Sequence, residues 1–232
     1  MEVVRLGEYR SWRGEATGMT LWRAETAPGV QRVLPDGVMD LMWFEERFVF
    51  AGADTTAMVS SSDGGGAAWG LRLAPGAAHA MLGVPACELA DQRVELSDLA
   101  KVPASIVDLA PADPAAALER LFGLLWRQAS PERGLLRLAG SLDHAARTGL
   151  SVRDIAVQHS MSERTLRRVS DRLFGYSPKA LASIHRFQRA LSLAQAGTAL
   201  GEAAVMAGYV DQPHWNREAQ RLAGTSPGLL LG

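Results

Sequence analysis

Apolar residues recur at helical spacing in the C-terminal part of the chain. Leu166, Val169 and Leu173 stand at positions i, i+3 and i+7, which predicts a helix with one buried face. Val152 and Ile155 predict a shorter helix before it, and the chain turns sharply between the two. The pattern therefore predicts a unit made of a short helix, a tight turn and a longer helix.

The same unit recurs 49 residues further along the chain. The sequence GYSP at 175–178 returns as GTSP at 224–227. Ser162 and Asp211, which are both favourable helix N-caps, occupy equivalent positions in the two copies. In the second copy Trp215 and Leu222 supply the apolar stripe. A repeat of this kind indicates one supersecondary unit that is present twice.

A short helix, a tight turn and a second helix form a helix-turn-helix, whose second helix can enter a DNA major groove. Between the two copies, residues 178–196 predict one long helix, capped by Ser177 with Pro178 at its first position. Its length is roughly 28 Å at about 1.5 Å per residue. That is close to the ~34 Å between successive major-groove segments on one face of a duplex. The spacing predicts that both second helices can meet the same face of DNA.

The outward side chains of the two second helices are basic or polar. Arginine suits guanine, whereas glutamine and asparagine suit adenine. The seven predicted DNA-binding residues are Arg164, Arg167, Arg168, Gln212, His214, Asn216 and Arg217.

Two alternatives for these side chains stay open at this point. The arginines could form a solvated helix face, and Asp211, His214 and Arg217 could form a catalytic or metal site along one face. The second alternative is disfavoured because the chain has five histidines and none of them stands in a paired ligand spacing. We predict no catalytic residue, no metal ligand and no cofactor.

The N-terminal part has a different pattern. Short segments such as 33–44 and 47–52, separated by turn residues, predict a β-rich barrel or sandwich. A helical piece at 76–89 interrupts it, in which Cys87 is expected to be inert packing. A second helix is predicted at 113–128, capped by Asp113.

Charge divides the chain at the end of that second helix. Residues 1–130 carry 11 Lys+Arg and 17 Asp+Glu, a net charge of −6, whereas residues 131–232 carry 13 and 8, a net charge of +5. We therefore predict an acidic β-rich sensing or dimerisation domain over 1–130 and a basic all-helical domain over 131–232, the part able to meet a polyanion.

Other composition data narrow the class of protein. The single cysteine excludes an intrachain disulfide and a cysteine-based zinc site. No apolar run approaches the roughly 18 residues that span a bilayer, and residues 1–12 contain no apolar signal core. These features predict a cytoplasmic protein with no membrane partner.

Residues 151–227 resemble the DNA-binding domain of AraC/XylS-type transcription regulators. The resemblance rests on the repeated Gly-x-Ser-Pro, the Met-Ser-x-Arg-x-Leu-x-Arg stretch at 161–168, the sequence RFQRA at 186–190 and Ala-Gly-Tyr-x-Asp-Gln-x-His at 207–214. It implies that the seven residues named above contact bases. LPDGVMDLMW, AGADT and GLRLAPGAAHAMLGVPACELAD resemble an N-terminal domain of some such regulators. That second resemblance implies a cupin-like β-barrel that binds a small effector, dimerises, or both.

The sequence departs from the family at two positions. Ser170 and Ala219 stand where these regulators usually carry a phenylalanine facing the core. Losing an aromatic there removes much buried surface. We expect either looser units or repacking by Phe174 and Trp215.

The expected fold class is therefore α+β, with a cupin-like β-rich domain and an all-α domain of two helix-turn-helix units joined by a long helix. The expected function is sequence-specific DNA-binding transcription regulation, with RNA polymerase and a second copy as further partners. One alternative is a cupin-type enzyme, which needs clustered histidines, although residues 1–130 contain only His79. Another is a protein-interaction module with degenerate helix-turn-helix units. Effector, operator and direction of regulation are left open by the sequence.

Overall fold

The computed structural model describes residues 8–231, and the side chain of Ser62 is not described within them. Residues 1–7, which belong to the predicted N-terminal domain and to the segment expected to lack a signal core, and Gly232 lie outside the described residues. Strands occupy the first part of the described chain and helices the second, which confirms the α+β fold class. The strands are β1 (Tyr9–Arg13), β2 (Thr20–Glu25), β3 (Gly29–Val33), β4 (Asp40–Phe44), β5 (Arg47–Ala51), β6 (Met58–Ser62), β7 (Ala67–Arg72) and β8 (Arg93–Glu95). The helices are α1 (Ala77–Leu82), α2 (Ala104–Leu109), α3 (Pro114–Ala129), α4 (Arg133–Arg147), α5 (Val152–Gln158), α6 (Glu163–Phe174), α7 (Pro178–Gln195), α8 (Leu200–Ala207), α9 (Gln212–Ala223) and α10 (Pro227–Leu231).

The β-rich part consists of a six-stranded antiparallel sheet in the order β1-β2-β7-β4-β5-β8 and a two-stranded sheet of β3 and β6. Leu21, Leu71, Leu41 and Phe50 stand in register across four neighbouring strands, and all are buried. Helix α3 packs against this part of the sheet. The arrangement is consistent with a cupin-like fold, as the sequence predicts.

Helix α3 forms where the sequence predicts it. The Asp113 carboxylate accepts a hydrogen bond from the Ala116 amide at 3.0 Å, and Pro114 takes the first position. Leu118, Leu121 and Leu125 are buried along one face of the helix. The helix ends at a left-handed Ser130, so α4 follows after a short connection.

The predicted helical piece at 76–89 is wrong in its extent. Helix α1 ends after one and a half turns, because Gly83 adopts the left-handed conformation and Pro85 follows it. A single 3-10 turn then carries Cys87, whose side chain is exposed. The prediction that Cys87 packs in the core is therefore also wrong.

The repeat of 49 residues is confirmed in the backbone. Helices α6 and α9 each contain twelve residues, their first residues are 49 positions apart, and each ends at a left-handed glycine, Gly175 or Gly224. Helix α7 has 18 residues and links the two units. None of the helices within residues 8–231 is long and apolar enough to cross a membrane.

The two parts of the described chain share one continuous core. Buried side chains of the sheet, α1 and α3 join those of α4, α6 and α7. At this junction Gly76 faces Ala139 so closely that a Cβ on the glycine would lie 2.6 Å from the Ala139 Cβ. The β-rich part is therefore packed directly on the helical part.

Candidate nucleic-acid interface

The first helix-turn-helix unit comprises α5 and α6, and its hydrogen bonds fix where each helix begins. The Ser151 hydroxyl accepts from the Asp154 amide, and the Ser162 hydroxyl accepts from the Thr165 amide, both at 3.1 Å. Between the helices Ser160 adopts a left-handed conformation with φ of 52°. The predicted cap at Ser162 is confirmed, and the tight turn between the helices is the one that the sequence indicates.

Burial of one face of α6 orients the opposite face outward. Leu166 and Leu173 are buried, whereas Val169 is only half-buried, so the predicted inward stripe is narrower at its middle. The structure places Arg164, Arg167 and Arg168 in exposed positions. Arg167 has its Nε 3.9 Å from the Asp171 carboxylate, but its side chain is 72% exposed.

The second unit comprises α8 and α9 and is capped by an acid. The Asp211 carboxylate accepts from the His214 amide at 2.7 Å, and Trp215 is fully buried. The Tyr209 ring stacks on Trp215 with centroids 6.4 Å apart and meets the His214 ring edge-on at 5.2 Å. These contacts hold the first turn of α9 in place.

The predicted DNA-binding residues of the second unit are less exposed than those of the first. Arg217 is exposed, whereas Gln212, His214 and Asn216 are half-buried. Each of the last three therefore has one side against the protein and one side toward solvent. The contacts of all seven residues with DNA stay a prediction.

The contacts of Asp211 and His214 differ in kind, and they do not join these two side chains with Arg217 into one site. Asp211 holds a backbone amide as a cap, and His214 lies against Tyr209. In the part of the chain that the structure describes, no three His, Cys, Asp or Glu side chains are grouped so that they could hold a metal ion.

The two positions without phenylalanine are accommodated differently. Ser170 is buried, and its hydroxyl donates to the Tyr176 carbonyl oxygen at 2.7 Å. A cavity of about 10 Å³ remains beside it, lined in part by Ile155 and Phe174. Ala219 is fully buried in the same face of α9 as Trp215. Each unit thus keeps a closed core, with a small void in the first.

A basic groove lies between the two units, and the sequence reasoning missed it. It has a volume of about 450 Å³, and four of its lining residues are cationic: Arg147, Lys179, Arg186 and Arg189. Three of them stand at i, i+7 and i+10 on one face of α7, a spacing that could have revealed them. We call these four residues the basic groove.

Two of the groove arginines are held in place by neighbours. The Arg186 guanidinium lies 4.6 Å from the centroid of the Tyr209 ring, which is a cation–π distance. Burial raises the pKa of Tyr209 to about 12, so its ring stays neutral. Arg147 donates to the Asp143 carboxylate at 2.7 Å. The groove is therefore a formed surface and not a set of free side chains.

Comparison with known proteins agrees with this arrangement. Residues 155–231 match a family described as a helix-turn-helix domain, and residues 16–95 match one described as a domain of unknown function (DUF6597). No curated protein sequence matches the chain.

Three solved structures illustrate the similarity. An apo ToxT variant from Vibrio cholerae strain SCE256 covers 94% of this chain and 98% of its own, at 12% identity and a TM-score of 0.53. ToxT from Vibrio cholerae O395 covers 97% and 98%, at 9% identity and a TM-score of 0.51. A probable AraC family transcriptional regulator from Rhodopseudomonas palustris CGA009 covers 41% and 94%, at 22% identity and a TM-score of 0.36.

The first two of these structures share the overall fold across both parts of the chain. The repeated unit and the helix-turn-helix match over residues 155–231 support a DNA-binding transcriptional regulator, and the fold of the chain is similar to that of the two ToxT structures.

Proposed function

We propose that the protein reads two successive major-groove segments of double-stranded DNA, with α6 in the first and α9 in the second. One observation carries the proposal: two helices of equal length, capped alike and 49 residues apart, each turn a basic or polar face outward. We call α6 and α9 the reading helices. The 18 residues of α7 between them give a spacer of about 27 Å, close to one helical turn of DNA.

The two reading helices contribute different chemistry. Arg164, Arg167 and Arg168 suit guanine edges and phosphates, and Gln212 and Asn216 suit adenine edges. His214 and Arg217 complete the second set. Because all three predicted contacts of α6 are cationic, α6 supplies more of the salt-dependent affinity.

The basic groove adds a path for the DNA backbone between the two segments. Its four cations lie between the units, and in this proposal a duplex engaged by both reading helices runs past them. Phosphate contacts of this kind position the protein without reading sequence. We therefore assign the basic groove to backbone phosphates.

We further propose that residues 1–130 form the sensing or dimerisation domain and residues 131–232 the DNA-binding domain. The left-handed Ser130 between α3 and α4 supports this division. The net charge of −6 on the first part keeps it away from a polyanion. A small effector, a second copy and RNA polymerase are its proposed partners. In this proposal the protein acts in the cytoplasm and has no enzymatic activity.

Selection of genomic fragments with the purified full-length protein tests the proposal. Wild-type protein should recover a site of about two major-groove turns, and its affinity should fall steeply with salt. Arg217→Ala should relax the preference at one base pair by about 1–3 kcal/mol.

Arg47→Ala is the matched control, because Arg47 pairs with Glu45 on an exposed turn of the β-rich part. It should leave the selected sequence unchanged. Recovery of no fragment by the wild type, or an identical sequence preference with Arg217→Ala, would overturn the proposal.

A further inference from the structure

The segment AGADT, which marks the N-terminal resemblance, has no role in the function proposed so far. It leads into a loop, residues 53–57, that touches both helix-turn-helix units. The Asp54 carbonyl oxygen accepts from the Tyr176 hydroxyl at 2.5 Å, just after the first reading helix. The Ala57 amide donates to the Leu222 carbonyl at 2.7 Å, near the end of the second. We call residues 53–57 the strap.

The strap is tied firmly to the β-rich part. The Asp54 carboxylate pairs with both guanidinium nitrogens of Arg93 at 2.9 and 2.6 Å. The Thr55 amide and hydroxyl both donate to the Asp91 carboxylate, at 2.7 and 2.6 Å. Immediately before the strap, a Cβ on Gly52 would lie 1.6 Å from the Leu89 carbonyl oxygen, so only glycine fits there. The strap is thus held in one conformation by β8 and the residues before it.

The end of the second reading helix is completed by the β-rich part. The last carbonyl groups of a helix have no partner within the helix. Here the Leu222 carbonyl is bonded by the strap amide of Ala57, and the Ala223 carbonyl is bonded by the Arg32 guanidinium from β3. The β-rich part therefore serves as the C-terminal cap of α9.

The first reading helix is held at the same end. A Cβ on Gly175 would lie 3.1 Å from the Ala86 carbonyl and 3.4 Å from Ala53 of the strap. The neighbouring Tyr176 is buried. Both reading helices are therefore fixed at their C-terminal ends, which leaves their N-terminal turns and outward faces open.

The connecting helix α7 is fixed to the same domain at a third point. The side-chain amide of Gln188 donates to the Pro35 carbonyl oxygen at 2.7 Å. A Cβ on Gly37 would lie 3.0 Å from the His185 Cε1 atom. Two units joined by one helix can tilt about it. Three attachments to a common domain remove that freedom.

We propose that the strap, together with Arg32 and Tyr176, sets the separation and relative angle of the reading helices and so determines which spacing between half-sites the protein accepts. The inference rests on the proposed function. These are positioning residues that do not touch DNA, and they act through α6 and α9. Because one added base pair rotates the second half-site by roughly 34° about the duplex, a fixed pair of helices tolerates few spacings.

The test uses the full chain and duplexes that carry the two selected half-sites at separations varied by single base pairs. Wild-type protein should favour one separation about tenfold over its neighbours, since only that geometry engages both helices at once. Arg32→Gln combined with Tyr176→Phe should reduce this preference to about threefold or less, with the affinity for a single half-site changed less than about twofold. Arg32→Lys, which keeps a cationic donor, should restore much of the preference, and Arg47→Ala should leave it intact.

A measurement without DNA separates this inference from the proposed function. In a Cys87→Ser background, spin labels on Glu163→Cys and Gln220→Cys, both exposed sites on the reading helices, report the distance between α6 and α9. The distribution should be narrow in the parent and broader in the Arg32→Gln, Tyr176→Phe variant. An unchanged distribution, or an unchanged spacing preference, would overturn the strap's role. A wild type that binds no DNA would instead overturn the proposed function.

Discussion

The two helix-turn-helix units have the same backbone and different surfaces. Helices α6 and α9 match in length, in N-cap position and in their terminal glycine. Among the predicted DNA contacts, the first helix exposes three arginines, whereas the second exposes one arginine and holds Gln212, His214 and Asn216 half-buried. A duplicated scaffold therefore presents a charged face in one copy and a polar face in the other, which suits affinity and selectivity respectively.

Their cores also differ. In the first unit, the buried Ser170 is satisfied by the Tyr176 carbonyl, and a small cavity remains. In the second, Ala219 lies beside the fully buried Trp215, on which Tyr209 stacks. The second unit thus depends on the large aromatic Trp215, whereas the first combines aliphatic side chains with Phe174 and one buried hydrogen bond.

Removing that aromatic should have the largest effect. Trp215→Ala should lower the free energy of unfolding by about 3–5 kcal/mol, because it leaves a cavity that the surroundings fill only in part. Urea unfolding followed by circular dichroism measures it. Val157→Ala, at a side chain 71% exposed on α5, is the control and should change stability by less than about 0.5 kcal/mol. A loss below about 1 kcal/mol for Trp215→Ala would contradict the dominance of this residue.

The next largest effect should be on DNA binding, where substitutions in the two units should give different results. Arg164→Ala should weaken binding to all sequences and lower the slope of log affinity against log salt by about 1, if it contacts a phosphate. Gln212→Ala should instead reduce discrimination at one base pair by about 1–3 kcal/mol with little change in salt slope. Titrations at several salt concentrations on selected and scrambled duplexes separate the two. A lowered salt slope for Gln212→Ala, together with lost discrimination at one base pair for Arg164→Ala, would contradict the assignment of affinity to α6 and selectivity to α9.

The buried hydroxyl of the first unit should give a smaller change. Ser170→Ala should destabilise the protein by about 0.5–1.5 kcal/mol, because the Tyr176 carbonyl loses its side-chain donor. Ser192→Ala, at an exposed position of α7, is the matched control. Equal or greater stability of Ser170→Ala in urea unfolding would show that the hydroxyl does not compensate for the missing phenylalanine.

The smallest expected difference depends on pH. The hydrogen bond from Arg221 holds the pKa of Glu218 below its ordinary value, and burial opposes this shift. A lowered pKa means that the stabilisation is present above the ordinary carboxyl range of about 4.3 and is lost as pH falls through the folded-state value. Glu218→Gln should therefore destabilise by less than about 1 kcal/mol at pH 7, because Arg221 is partly exposed.

The difference in stability between the wild type and Glu218→Gln should shrink below about pH 4. The first unit has an ion pair of its own at a different position of its helix, and Asp171→Asn there should change stability by less than about 0.5 kcal/mol, since the pair with Arg167 is longer and more exposed. Urea midpoints measured from pH 3 to pH 8 test both. A pH-independent effect of Glu218→Gln would contradict the ion-pair explanation.

Several features of the fold could be predicted because they are local. Caps at Asp113, Ser162 and Asp211 each act on the amide three residues further on, so the sequence around each is sufficient to locate the helix. The repeat could be predicted because both copies place their buried apolar residues, N-caps and terminal glycines at the same spacing. The predicted burial of Cys87 is wrong because the apolar spacing of the sequence continues past Gly83, whereas the helix ends there and the backbone changes direction.

The sequence by itself determined the two units, their caps, the connecting helix and the outward polar faces, because helical periodicity and capping depend on near neighbours in the chain. Only the tertiary structure decided the basic groove, the bond from Tyr176 to Asp54 and the capping of α9 by Arg32 and Ala57. The basic groove is formed where α4 lies beside α7. The bond from Tyr176 to Asp54 and the bond from Arg32 to Ala223 each join residues more than a hundred positions apart. Such pairings depend on how the β-rich part docks on the helices, which no local pattern records.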